Sequence, residues 1–363
     1  MKLHRLLVPA TAGVFLSFSS AADRVAFAPE QGLTLKRTIE SRMTFDLEDM
    51  TFDLDGQDMT AMMGGLPEMS FTNTLNVAVS DEFVETADGR PAKLKRTYEA
   101  IGSNFAMDMS MAGEGQSEET AMTSELEGGT VVFTFDEEAG EFVPKWADEA
   151  ETRDVELLEG LDEDLDLRAF LPGRDVEVGE SWDIDAMTLA TLVMPGGTLG
   201  FKPEDTGEEG PDMGEFEDMF TEMFTQYEEA FTSLLDGERK ATYEGMRDVE
   251  GRSLAVITLK LDTDGSMDMS GMLADMVDKI SELAEEMPDF ELDIAAANLS
   301  ITLDGTGTLL WDPRRGTFES LTMEVDVTMG MEVSVDIDAQ GETHSMDMTM
   351  EMAGDMATNF KAE

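Results

Sequence analysis

Residues 321–338, LTMEVDVTMGMEVSVDID, alternate apolar and polar side chains almost without a break. Met323, Val325, Val327, Met329, Met331, Val333, Val335 and Ile337 share one parity; Glu324, Asp326, Thr328, Glu332, Ser334, Asp336 and Asp338 share the other. A period of two puts one face on a core and the other in water, so it predicts a half-buried antiparallel strand. Ala339-Gln340-Gly341-Glu342 is turn chemistry, and THSMDMTMEMAGDM, from 343, returns as the second arm of a long hairpin. The same pattern predicts strands over 33–47, 69–79, 92–101, 104–111, 130–135, 239–246, 252–262 and 298–311, separated by turns at 87–91, 136–140, 248–251 and 312–316. Strands this long suit a strongly curved sheet or half-barrel.

Two segments switch to helical spacing. Over 213–236, Phe216, Met219, Phe220, Met223, Phe224, Tyr227, Phe231, Leu234 and Leu235 form an apolar stripe, the other face is almost wholly acidic, and Gly237 is a stop signal. Over 270–287, Met272, Leu273, Met276, Val277, Ile280, Leu283 and Met287 do the same, with Ser270 placed to cap and Pro288 beyond the end. Neither helix is stable alone in water, so each must cover apolar sheet.

Three marks recur in order. Thr-Tyr-Glu stands at 97 and 242, Met-Asp-Met-Ser at 107 and 267, and Asp-x3-Gly-x-Phe at 136 and 312. The expectation is therefore an α+β fold, predominantly antiparallel β, in two half-barrel-like halves with one or two amphipathic helices packed on the sheet. The halves are 23–170 and 171–363, with the helices in the second.

The first 22 residues supply what precedes them. Lys2 and Arg5 are a positive start, Leu6–Phe18 an apolar run too short to span a bilayer, and Ser20-Ala21-Ala22 a cleavage site. This predicts an exported protein, periplasmic or extracellular and bacterial, since the 363 residues include no Cys for disulfides. No later stretch is long and apolar enough for a spanning helix. The net charge is −56, and losing Lys2 and Arg5 makes it −58. That field repels nucleic acid and anionic lipid surfaces, and it fits a salty habitat or cation binding. The hydrophobic share of 41% is that of a folded chain.

Catalytic signatures are missing. There is no Gly-x-Ser-x-Gly elbow, Walker loop, dinucleotide fingerprint or His-Glu-x-x-His, and the exported chain keeps one histidine, His344. A non-catalytic protein without a cofactor is expected. DLDG at 53–56 and DTDG at 262–265 fail as calcium loops, because their first and twelfth positions are wrong, and read as hairpin turns. The stretch from 343 is open to two readings. His344, Met346 and Met348 have the parity and chemistry of a Cu(I) site. They are equally the apolar wall of a sheet, and the exchange of Met with Val on the neighbouring strand's same face favours the wall.

The phrase LPGRDVEVGESW at 171–182, with ADGRPAKLKRTYE at 87–99, resembles uncharacterised exported bacterial β-rich proteins in which a Gly-Glu-Ser-Trp stretch opens the second half. The arrangement of strands and helices is also similar to the half-barrels of lipoprotein carriers, which hold acyl chains in their concavity. That likeness implies a non-catalytic protein binding an apolar or amphipathic, lipid-like ligand. Its Met-lined concavity would use Met219, Phe220, Met223, Phe224, Tyr227, Met323, Met329, Met331, Met346, Met348 and Met350. The alternatives are a ligand-free interaction module of the cell envelope and a Cu(I) or divalent-cation binder.

Overall fold

A computed structural model describes residues 25–60, 66–87, 90–111, 114–148, 152–204, 234–283, 290–339 and 342–363. The predicted signal segment and the predicted helix 213–236, but for its last three residues, lie outside these. The strands are β1 (Thr34–Leu54), β2 (Gln57–Asp58), β3 (Glu68–Ala87), β4 (Arg90–Met111), β5 (Glu114–Ser124), β6 (Thr130–Asp136) and β7 (Glu141–Trp146), then β8 (Ser181–Asp183), β9 (Phe201–Pro203), β10 (Gly237–Val249), β11 (Arg252–Asp268), β12 (Phe290–Asp312), β13 (Thr317–Ala339) and β14 (Glu342–Ala362). The described helices are a four-residue α1 (Ala190–Val193), a longer α2 (Ser270–Leu283) and three single 3-10 turns at Glu156–Leu158, Arg168–Phe170 and Met187–Leu189.

All the strands belong to one antiparallel sheet in the order β7-β6-β4-β3-β1-β14-β13-β12-β11-β10-β8, with β2, β5 and β9 paired off this path. The fold is thus β-rich α+β, built on an open, curled sheet. Its middle is the pairing of β1 with β14, from Arg37 opposite Ala362 to Leu54 opposite Met346. Strands from both sequence halves therefore share one hydrogen-bonded surface.

Strict alternation predicts β1 only to residue 47, and the reason is a bulge. Leu47 faces Met352 and Asp49 faces Glu351, so Glu48 is an extra residue and the parity switches. Met50, Phe52 and Leu54 thereby rejoin the apolar face begun by Leu35 and Ile39. β4 is one strand of 22 residues where the pattern predicts two, because Gly102 and Ser103 continue the ladder opposite Asn76 and Leu75. β12 starts at Phe290 rather than 298, with a bulge at Ala295 before a run of alanines that hides the alternation. β5 has almost no apolar alternation and the pattern misses it.

The core is one cluster. Leu35, Val79, Phe83, Tyr98, Phe133, Tyr243, Ile257, Trp311, Leu321 and Phe360 come from strands across the sheet. The irregular segment 152–204 covers them, burying Leu158, Leu161, Leu165, Leu167, Phe170, Val176, Leu189, Leu192 and Leu199 in the same cluster. The Gly-Glu-Ser-Trp phrase belongs to this cover: Trp182 in β8 donates its indole N–H to the Phe170 carbonyl at 3.1 Å.

Two of the recurring marks have matching geometry. Tyr98 and Tyr243 are fully buried, and in each case the following Glu is the bulged residue of its strand. Each Tyr backbone exchanges two hydrogen bonds with a loop: Tyr98 with Gly128 and Gly129, Tyr243 with Gly179 and Glu180. Asp136 and Asp312 each open a hairpin closed by a glycine of positive φ, Gly140 (77°) and Gly316 (66°). The middle mark has no such match, since Met107 lies in β4 itself and Met267 in the following strand, β11.

α2 ends at Leu283, and residues 284–289 lie outside the description. Ser270 does not cap it; its hydroxyl accepts from the Ala297 amide at 2.8 Å and ties the helix to β12, while Asp268 accepts from the Ser270 amide at 2.9 Å. Gly237 opens β10, where a Cβ would lie 2.4 Å from the Asp262 carbonyl oxygen. DLDG makes the predicted two-residue turn, with Asp55 at φ 51° and Gly56 at φ 74°. DTDG does not turn: Asp262 to Gly265 continue β11 opposite Asp304 to Ile301.

The outward face carries an arrangement that only the register reveals. Asp262, Asp304, Asp326 and Asp355 stand directly opposite one another across β11, β12, β13 and β14, a row of four exposed carboxylates.

Candidate functional site

Beyond the covered core, the apolar face continues as rows of methionine. Met50, Met350, Met331, Leu299 and Met267 are cross-strand partners in one row over β1, β14, β13, β12 and β11. Leu47, Met352, Met329 and Ile301 form the row nearer the core; Phe52, Met348 and Val333 form the row farther out, and Leu54, Met346 and Val335 the next. Adjacent partners on one face come within contact range, so these rows are continuous apolar surface. Of the predicted residues, Met329, Met331, Met346, Met348 and Met350 are thus brought together, each half-buried apart from its neighbours in the core. Met323 is 2% exposed and packs inside the core instead. Met219, Phe220, Met223, Phe224 and Tyr227 lie outside the described residues.

His344 sits at the far end of the same face, opposite Ile337. Its Nδ1 lies 2.8 Å from the Asp55 carboxylate across the β1–β14 pair. That hydrogen bond is the main reason Asp55 is held below the usual carboxylate range. Among the described residues no group of three or more His, Asp or Glu side chains is placed to hold a metal ion.

On the same face of the sheet as the Met rows there is a cavity of about 350 Å³. Its floor is sheet: Ser41 and Met43 of β1, Asn73 and Leu75 of β3, Ser103 of β4 and Met122 of β5. Its roof is the end of α1 and the turn after it, residues 193–199, with Phe201 of β9. The side chains are mainly apolar, with a few polar groups spaced among them. Ser103 donates to the Asn73 side-chain oxygen at 2.9 Å, and Ser41 shares a 3.1 Å hydrogen bond with Thr358 of β14. Val193 and Met194 at the rim are 49% and 43% exposed.

The roof is held on two sides. β9 pairs with Met122–Ser124 of β5, and the Ser124 hydroxyl donates to the Leu199 carbonyl at 2.5 Å. On the other side Leu161 bridges to Gly197, with Asp162 N–H on Gly196 O and Thr198 N–H on Gly160 O, both at 2.9 Å. A Cβ on Gly197 would lie 2.1 Å from the Gly160 oxygen, so glycine is required for this approach. Sequence reasoning missed the cavity because irregular backbone builds its roof. The signal available was the Pro195-Gly196-Gly197 turn beside three adjacent apolar residues, Leu192-Val193-Met194.

No family model matches the chain, and no curated protein matches it either. Among solved structures it is similar to an outer membrane channel from Pseudomonas putida F1, at 7% identity and a TM-score of 0.17 over 94% of this chain and 100% of that one. It is also similar to the outer membrane protease OmpT from Escherichia coli, at 8% identity and a TM-score of 0.11 over the same shares. At these scores the likenesses carry no argument on fold or activity. Among the described residues no helix is long and apolar enough to cross a membrane, which leaves strands unaddressed.

Proposed function

We propose that the protein is an exported, non-catalytic binder of an apolar or amphipathic molecule. The observation that carries this is the roofed cavity on the same face of the sheet as the methionine rows. About 350 Å³ falls within the roughly 300–1,000 Å³ of small-molecule sites, and an apolar lining with a few hydroxyl and amide groups is their usual chemistry. An acyl-like chain seated under Val193 and Met194 would continue over Phe45, Leu47, Met352 and Met329, the next rows of the same face. Methionine suits that role, since its unbranched thioether repacks around varied shapes. Ser41, Asn73 and Ser103 would take a polar head or a hydroxyl.

Native mass spectrometry of residues 23–363, purified without detergent, tests this directly. A bound small amphipath is expected, and Met122→Trp or Leu75→Trp, which fill the cavity, should remove it. A chain that carries nothing and binds no dansylated undecanoic acid refutes the proposal.

A further inference from the structure

Three charged side chains occupy the apolar phase of their strands. Arg37 stands between Leu35 and Ile39 on β1, Asp81 between Val79 and Phe83 on β3, and Arg96 between Leu94 and Tyr98 on β4; none is more than 1% exposed. The Asp81 carboxylate accepts from Arg37, and from Arg96 Nε and Nη2 at 2.8 and 2.9 Å. Arg96 also donates to the backbone carbonyls of Asp162 at 3.0 Å and Glu163 at 2.8 Å. Farther along that segment Arg168 pairs with Glu163, with Asp166 at 2.5 Å and with Asp164 at 3.9 Å.

Three guanidiniums, Arg37, Arg96 and Arg168, thus meet four carboxylates, Asp81, Glu163, Asp164 and Asp166. Fully ionised, the cluster keeps one uncompensated negative charge inside the protein, which is costly. A single proton balances it. Burial pushes Glu163 and Asp166 up to about 7 against the pull of the arginines. Burial also raises Asp164 and the Tyr98 phenol, and the exposed Asp162 carboxylate, which accepts from the Asp164 amide at 3.0 Å, adds its negative charge against both.

The cluster and the cavity roof share one stretch of backbone. The Asp162 N–H holds the roof at Gly196, and the Asp162 carbonyl is held by Arg96. We propose that the Glu163–Asp166–Arg168 cluster is a proton-operated latch on this roof. With one shared proton its charges balance and 160–168 stays docked; when the proton leaves, the segment loosens and releases residues 196–198. The regulatory purpose rests on the ligand-binding reading above, but the latch itself does not.

Both carboxyls bind a proton more tightly folded than unfolded, from ordinary values of 4.5 and 3.8. Their stabilisation is therefore complete below about pH 4 and is lost as pH rises through about 7. For one such proton on Glu163, opening grows roughly thirtyfold from about pH 5.5 to about pH 8.5.

Backbone hydrogen exchange of the ligand-free protein, corrected for intrinsic rates, tests this at the Asp162 and Thr198 amides, with Val325 and Val327 of β13 as the reference. Protection at the two reporters should fall more than tenfold across that range while the reference holds. Glu163→Gln, neutral at every pH, should flatten the profile; Asp166→Asn serves if that variant does not fold. A flat wild-type profile overturns the latch, as does an unchanged slope in a folded neutral variant. Dansylated undecanoic acid, titrated separately over the same range, addresses regulation. Affinity that tracks the reporters supports regulation, affinity independent of pH overturns it, and no binding at any pH removes the ligand reading while the latch stands.

Discussion

The row Asp262, Asp304, Asp326 and Asp355 places like charges directly opposite each other on adjacent strands, and Asp326 has one on either side. Opposed like charges across a strand pair cost roughly 0.2–1 kcal/mol each. Coulomb's law agrees: two unit charges about 5 Å apart in water repel by about 0.8 kcal/mol. Asp326→Asn removes two such contacts at nearly constant shape, so it should stabilise the protein by roughly 0.4–2 kcal/mol at low salt. At about 1 M salt the screening length shrinks to about 3 Å and the gain should vanish. Urea unfolding of wild type and variant at both salt levels measures it. The outer neighbour of the row, Thr44, donates to Asp355 at 2.6 Å, so Asp355→Asn would disturb a hydrogen bond and is the poorer choice. If Asp326→Asn is neutral or destabilising at low salt, or if its gain survives molar salt, the repulsion reasoning is wrong.

Asp81→Ala strands two buried guanidiniums and should cost about 3–5 kcal/mol in urea unfolding. That loss should far exceed that of Glu319→Ala, whose partner Arg252 is exposed to solvent; equal losses would contradict the burial of the cluster. Gly354→Val should disrupt the β1–β14 seam by about 1–3 kcal/mol or more, because a Cβ there would lie 1.8 Å from the Thr44 oxygen and 2.8 Å from the Phe45 ring. An unchanged urea midpoint would refute it. Competition with a Cu(I) chelator should find no sub-micromolar site, with His344→Ala plus Met346→Leu indistinguishable from wild type; a stoichiometric tight site lost in that variant would reverse the wall reading.

What the sequence revealed was whatever repeats at period two. β13 is legible almost to its ends, observed at Thr317–Ala339, and Met329, Met331, Met346, Met348 and Met350 are correctly assigned to a shared face. Alternation fails at single extra residues: Glu48 shifts Met50, Phe52 and Leu54 out of phase, and no pattern with a fixed period survives that. It fails again for 152–204, where leucines bury themselves from irregular backbone with no period at all. The buried charges left a trace that was readable in principle. Arg37, Asp81 and Arg96 each interrupt an apolar parity, which is where a charge stands only if a partner is waiting across the fold. The Asp row left none, since which aspartates meet depends on register, and register depends on the turns and bulges.

The central seam has a consequence for how the chain reaches this state. β1 and β14 are the first and last long strands, and they are neighbours in the middle of the sheet. Their contacts are therefore among the most distant in sequence that the chain makes, and they join two wings of the sheet, β7 to β1 and β14 to β8. Such closure is slow, since the loop entropy is lost before any pairing rewards it. Until then each wing carries a long unpaired edge, the kind of surface that recruits other chains. Here those edges are studded with acid: Glu40, Asp46, Asp49 and Asp53 on β1, Asp347, Glu351 and Asp355 on β14. Between two copies, that charge is a barrier to mispairing at every encounter. Within one copy it is a repulsion met only once, overcome by the methionine face closing behind it.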